Sequence, residues 1–210
     1  MSETATFINR AAFSSKGTSR TRTMLWWVML LACAGVSIYA TTYFLLPVRN
    51  RHFSQYIVPL RLHIAGGIGA LLVGPWQFST RLRTRALALH RWLGRFYLVE
   101  VMLGSIAGFS MALVSLGGLP THLGFGLLAI LWFLTGLQAY RVIRRRDTAA
   151  HRRWMIRNFA LTLAAVTLRI YLPLFLMLHW PFERSYVVVS WLCWVPNLLV
   201  AEWMIRRRMA

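Results

Sequence analysis

"LRLHIAGGIGALLVGPWQF", residues 60–78, decides what kind of chain this is. Beyond Arg61 the next charged residue is Arg81, and the interval is almost wholly apolar residues and glycine, with His63 and Gln77 as its larger polar members. A helix rises about 1.5 Å per residue, so about 20 such residues cross a hydrocarbon layer of about 30 Å. Working outward, the same pattern predicts spans over Met24–Leu46 (closed by Pro47), Tyr56–Phe78, Phe96–Leu116, Leu123–Tyr140, Met155–Leu178 and Tyr186–Ile205. Composition agrees: 58% of residues are hydrophobic and 14% charged, against about 25% charged in soluble domains. The expected fold is all-α: a single six-helix transmembrane domain over residues 24–210. Residues 1–23 read as a basic, flexible segment lying against anionic headgroups.

The net charge of +19 would suggest nucleic acid in a soluble chain. Its distribution argues otherwise. With six spans, the termini and the second and fourth connections share one side of the membrane. Nineteen of the 24 Lys and Arg residues fall there, against Arg49, Arg51 and Arg184 on the other side. Cytoplasmic loops accumulate basic residues, so both termini are expected in the cytoplasm, the protein in the inner (plasma) membrane, and nucleic acid is not needed.

The two cysteines, Cys33 and Cys193, lie in apolar runs without a CxxC partner, which leaves no redox motif and no disulfide framework. "LLAC" at 30–33 has a lipoprotein-like ring, but the apolar run continues to Leu46 and reads as an uncleaved first span. Walker, HExxH, nucleophile-elbow and Cys-rich metal motifs are all missing from the sequence, which excludes the usual soluble hydrolase and nucleotide chemistries.

Two phrases repeat. "HRWLGRFY" at 90–97 and "HRRWMIRNF" at 151–159 share a basic, aromatic frame, and "HIAGG" at 63–67 pairs with "HLGFG" at 122–126. His63 to His122 is 59 residues, while His90 to His151 and Gln77 to Gln138 are each 61. Residues 56–116 and 119–178 therefore read as two copies of one helical hairpin. Span direction puts His63 and His122 near the outer face and His90 and His151 at the inner face. Gln77 lies 14 residues below His63, about 21 Å of helix.

Histidine pairs on facing helices suit b-type haem, one or two, whose iron takes two neutral imidazoles. A flat macrocycle needs small neighbours, which Gly66, Gly67, Gly124 and Gly126 supply. Its propionates need Arg, and Arg91, Arg95, Arg152 and Arg157 surround the inner pair while Arg61 adjoins the outer one. Gln77 and Gln138 could bond each other, or hold an imidazole or a quinone oxygen.

"LRLHIAGGIGALLVGPWQF", "LHRWLGRFY" and "HRRWMIRNFALTLAAVTLR" resemble the bacterial membrane-protein family called domain of unknown function 2306, over about residues 55–170. That family brings no established activity. More remotely, one histidine on each of four consecutive helices is similar to dihaem transmembrane cytochromes b of the b561 type. That resemblance implies that His63 with His122, and His90 with His151, bind two haems and pass electrons across the membrane. The chain departs from it in placing His90 and His151 at the interface, where the cytochrome ligands lie deeper.

Other readings stand beside these. His-Arg-Trp at a helix end is also an interfacial anchor, with Trp in the headgroup belt. His63 could be a hydrogen-bonded structural residue, and His122 could cap the fourth helix. His52 and His179 read as solvated, with His179 a substitute ligand. Arg169, about fourteen residues into span five, is costly in hydrocarbon and should face an anion or acceptor. The acidic residues within spans, Glu100 and Glu202, read as near the inner end; a cofactor carboxylate, an anionic substrate or carbonyls freed by Pro173 would serve Arg169. Three functions follow: electron transfer by haem with quinol or another lipid-soluble donor, a non-redox binding or assembly subunit using the histidines for a metal or protein partner, and a small-anion transporter centred on Arg169 and His63.

Overall fold

A chain in hydrocarbon must bond its own backbone polar groups, and apolar runs of this length do so as helices. The computed structural model describes residues 3–46 and 54–207, without the side chains of 1–19 and Arg22. Pro47, Arg49, Arg51, His52 and Arg208 lie outside the described residues. Among those described there is no strand. The helices are α1 (Glu3–Leu45), α2 (Ile57–Gln77), α3 (Thr80–Arg85), α4 (Leu87–Leu113), α5 (Leu119–Arg144), α6 (Thr148–Thr162), α7 (Ala164–Met177), α8 (Phe182–Leu192) and α9 (Val195–Arg207).

Six stretches are long and apolar enough to span: Thr23–Leu45 of α1, then α2, α4, α5, α6 with α7, and α8 with α9. The helix of span three begins at Leu87 and that of span five at Thr148, each a turn or more before its apolar run. Hydropathy marks where hydrocarbon starts, whereas the helix carries on through its basic, headgroup-level turns. His90 and His151 are consequently each the fourth residue of a helix.

Large apolar side chains face outward all round the bundle, as in Leu31 at 67% exposure, Ile38 at 70% and Leu199 at 64%. Water does not tolerate such a continuous apolar surface; lipid does. The interior is packed with small residues such as Ala70, Ala107, Ala129, Ala139 and Ala164, which let helix backbones approach. At Gly66 a Cβ would come within 2.7 Å of the Gly104 Cα, so α2 and α4 meet there through bare backbone. The most extensive packing runs α2–α4, then α4–α5 and α5–α6, with α1 against α2 and α9 against α6. Spans two to five thus form the centre.

Spans five and six are both interrupted midway, at Leu163 and at Cys193–Trp194. The interruptions are tied together by side chains. Asn197 donates to the Ala160 carbonyl at 3.3 Å, to the Cys193 carbonyl at 2.9 Å and to Thr167 Oγ1 at 3.2 Å. Carbonyls released at a helix break in hydrocarbon need such partners.

Candidate functional site

A cavity of about 620 Å³ lies in the half of the bundle away from the termini. His63, Arg169, Tyr43, Trp132, Thr162 and Cys193 are among its lining residues; all six spans contribute to it, and the connections at the basic end do not. Both interrupted spans reach it. The polar groups are few within an otherwise apolar wall, the usual character of a small-molecule site.

His63, the seventh residue of α2, places Nδ1 2.8 Å from the Gly104 carbonyl on α4. A carbonyl only accepts, so Nδ1 carries the proton and, in the neutral ring, Nε2 keeps its lone pair. The ring fits because α4 has glycine one turn on: a Cβ at Gly108 would come within 2.7 Å of Nδ1. Trp132 meets the imidazole edge-on, with ring centroids 6.5 Å apart.

Arg169 on α7 sends Nη1 to the Ala165 carbonyl at 2.9 Å and stands over the Tyr39 ring, Cζ to centroid 5.6 Å. Its Nε is buried without a hydrogen-bond partner. The residue faces the bundle, and Thr162 and Val166 on the same stripe are buried, whereas Pro173 is exposed. The carbonyl used is that of Ala165, one turn before Arg169.

His122 does not line the cavity. Its Nε2 lies 2.9 Å from the Ser115 carbonyl, which holds the turn through Gly117 and Gly118, both at positive φ. Of the glycines read as cofactor clearance, only Gly67 opens onto the cavity. Gly66 packs on Gly104, Gly124 on Ser190, and Gly126 lies 3.8 Å from Phe109, each distance or contact taken at the Cβ position.

At the basic end, His151 Nδ1 lies 2.9 Å from the Ala139 carbonyl of α5. His90 Nδ1 and Gln77 Nε2 are both buried without partners. Gln138 is half-buried near the end of α5. Arg157 is engaged by Glu202 through a two-pronged ion pair, Nε to Oε1 and Nη2 to Oε2, and stacks on Trp154. Arg95 lies on Trp92 and Arg61 on Phe44, while Arg91 and Arg152 are exposed. His179 is exposed, with φ 62. Glu100 is half-buried along Gly69, whose Cβ position is 2.6 Å from the Glu100 Cγ. That places Glu100 near the middle of both α2 and α4, deeper than the apolar-run boundaries suggest. Among the described residues no group of three or more His, Cys, Asp or Glu is arranged to hold a metal ion.

Sequence reasoning missed the polar network beneath the cavity. Tyr97 donates to Asn158 Oδ1 at 2.7 Å and lies 2.8 Å from Thr162 Oγ1. Asn158 Nδ2 donates to the Trp132 carbonyl at 2.7 Å and to Thr135 Oγ1 at 2.9 Å, and Trp132 Nε1 donates to Thr162 Oγ1 at 2.9 Å. Spans three, four and five are laced together there, and Thr162 and Trp132 form part of the cavity wall. The available signal was Asn158 and Thr162, four apart on one face of an apolar helix.

One family's sequence model matches residues 60–205 of the chain. The chain belongs to the family described as predicted membrane protein, DUF2306. The match takes in spans two to six of this DUF2306 chain, with His63, Arg169 and the polar network, and leaves span one outside. No curated protein and no solved structure matches the DUF2306 chain.

Proposed function

We propose that this DUF2306 chain binds a b-type haem in the cavity, with His63 as a protein ligand to iron and Arg169 as partner to a propionate. In this reading it exchanges electrons with quinol or another lipid-soluble donor. The basic end lies on the cytoplasmic side of the plasma membrane, with both termini there.

One observation carries the reading: His63 gives its Nδ1 proton to a backbone carbonyl, which leaves Nε2 to the cavity. Metal-binding histidines are oriented in this way by an outer partner on the second nitrogen. The chemistry of the wall also fits. The cavity, about 620 Å³, lies within the range of about 300–1,000 Å³ usual for ligand sites. Arg169 brings a buried Nε that lacks a partner, and a carboxylate would supply one. A bound b-type haem contributes one-electron chemistry. The chain contributes a ligand, a countercharge and walls that exclude water. His122, with Nε2 at the Ser115 carbonyl, does not complete a pair in this arrangement, so the reading is of a single histidine ligand from this chain.

An optical spectrum of detergent-purified protein from haem-replete cells, oxidised and then reduced, tests it. The expected result is a Soret and α band of b type, lost in His63→Ala. A colourless preparation that takes up no added haem would falsify it.

The engagement of His122 favours a second, non-redox reading: an apolar molecule with a carboxylate head, held by Arg169 without any metal. A colourless protein that retains such a molecule in native mass spectra, and loses it in Arg169→Leu, selects this reading.

A further inference from the structure

The basic end of the bundle contains a second cluster, remote from the cavity and independent of what fills it. His90 and His151 are each the fourth residue of a helix, α4 and α6. Seven residues further along each helix, Tyr97 and Asn158 are hydrogen-bonded to each other. Seven residues are about two helical turns, so each histidine shares a face with the residue that makes that bond. The two imidazoles are therefore directed into the same end of the core.

Two buried nitrogens there have no partner, His90 Nδ1 and Gln77 Nε2. Gln77 is only 6% exposed. Its side chain crosses Gly94, where a Cβ would be 3.2 Å from Oε1, and Gly94 is one turn beyond His90 on α4. The Gln77 amide is thus directed along the helix face that carries His90. Unmatched buried polar nitrogens are costly, and two in one place call for a common partner.

Charge decides the sign of that partner. Arg83 lies on α3, which packs against α4, and Arg91 follows His90 directly on α4. The nearest carboxylate on α6, Asp147, is taken up in capping that helix through the Ala150 N–H at 2.8 Å. The first turns of α4 and α6 add the positive ends of two helix dipoles. A cation would be repelled here. An oxyanion with several acceptor oxygens could take up the amide and the imidazole, with the guanidinium charge of Arg83 and of the exposed Arg91 on neighbouring turns. Basic turns at the ends of apolar spans are where a bilayer carries its phosphates.

We propose that Gln77, His90, Arg83 and Arg91 form a binding site for a phosphate-type anion at the basic end of the bundle. His151, with Nδ1 held by the Ala139 carbonyl, borders it.

The test uses the full chain in two arms. In detergent, inorganic phosphate is titrated against the melting temperature at constant ionic strength. In nanodiscs of phosphatidylcholine with or without phosphatidylglycerol, native mass spectra record retained lipid. Phosphate-dependent stabilisation identifies a free anion, and selective retention of phosphatidylglycerol identifies a lipid headgroup; either supports the site. Gln77→Glu, close in shape but anionic, and His90→Leu should each weaken the effect about tenfold, the scale of one lost hydrogen bond to a charged group. Arg206→Gln, on the same side but outside the site, should retain it. Equal binding by wild type, Gln77→Glu and His90→Leu would reduce the effect to general surface charge and overturn the site. So would no binding in either arm. Should Gln77→Glu or His90→Leu not fold, competition decides: sulfate displacing phosphate tenfold better than chloride does is expected, and equal displacement overturns the proposal.

Discussion

The Tyr97 hydroxyl donates to Asn158 Oδ1 at 2.7 Å across 61 residues of sequence. That separation is also the offset between His90 and His151. The bond therefore joins corresponding positions of the two basic, aromatic frames, one on span three and the other on span five. It closes the core between the cavity and the cluster at the basic end.

Tyr97→Phe removes the donor and keeps the ring, so it isolates that bond. Hydrogen bonds between helices in membranes contribute about 0.6 kcal/mol on average, up to about 1.7, and a loss within that range is expected. Asn158→Leu should cost more, about 1–3 kcal/mol, because it leaves the Trp132 carbonyl, Thr135 and Tyr97 without their shared partner. Reversible unfolding in mixed micelles measures both. The double variant should lose less than the sum of the two. Full additivity would mean that the two side chains stabilise the bundle separately.

Adjacent glycines should respond with opposite signs. A Cβ at Gly66 would come within 2.6 Å of the Glu100 carbonyl oxygen, whereas at Gly67 nothing lies within 4 Å. Gly66→Ala must push α2 from α4 and should destabilise. Gly67→Ala only replaces a poor helix former by a good one, a gain of up to about 1 kcal/mol. The same unfolding measurement compares them. A destabilised Gly67→Ala beside a tolerated Gly66→Ala would contradict the packing of these two helices.

Orientation rests on the nineteen-to-three distribution of Lys and Arg. A reporter fused after Ala210 should read cytoplasmic. A signal from the other side would invert every inside and outside assignment, and with them the side on which the anion site and the cavity lie.

The six spans were legible because hydrocarbon imposes one requirement on every run, a length of apolar helix, and the sequence states that length directly. Where the helices begin was less so: Leu87 and Thr148 open helices in basic stretches that hydropathy does not count. His63 was legible as a polar ring deep in a span. Its partner was not, because Gly104 contributes a carbonyl, and any residue has one. The Ser115 carbonyl that engages His122 is hidden for the same reason. Arg157 looked available for an anion until α9 brought Glu202 alongside, 45 residues away. The network of Tyr97, Asn158 and Thr162 was partly visible in spacing, yet its closure needed the approach of three spans.

Arg169 gives the most direct test of the cavity. A guanidinium at this depth costs at least about 2.5–3.5 kcal/mol on insertion scales, so one without a purpose should be replaceable at a gain. Its contacts recover part of that cost through the Ala165 carbonyl and the Tyr39 ring, and they leave Nε unmatched. Arg169→Leu should therefore insert at least as well as wild type and lose the bound ligand. Arg169→Lys should retain it only in part, since an ammonium keeps the charge but not the fork that matches a carboxylate. Ligand content, by haem absorbance or by native mass spectrometry, is compared with yield in the membrane fraction. Cysteines placed along α7 add a geometric check: position 169 should label as lining the cavity and position 173 as facing lipid. Labelling of 169 from the lipid side, with full ligand content in Arg169→Leu, would mean that the residue extends to the far surface and takes no part in the site.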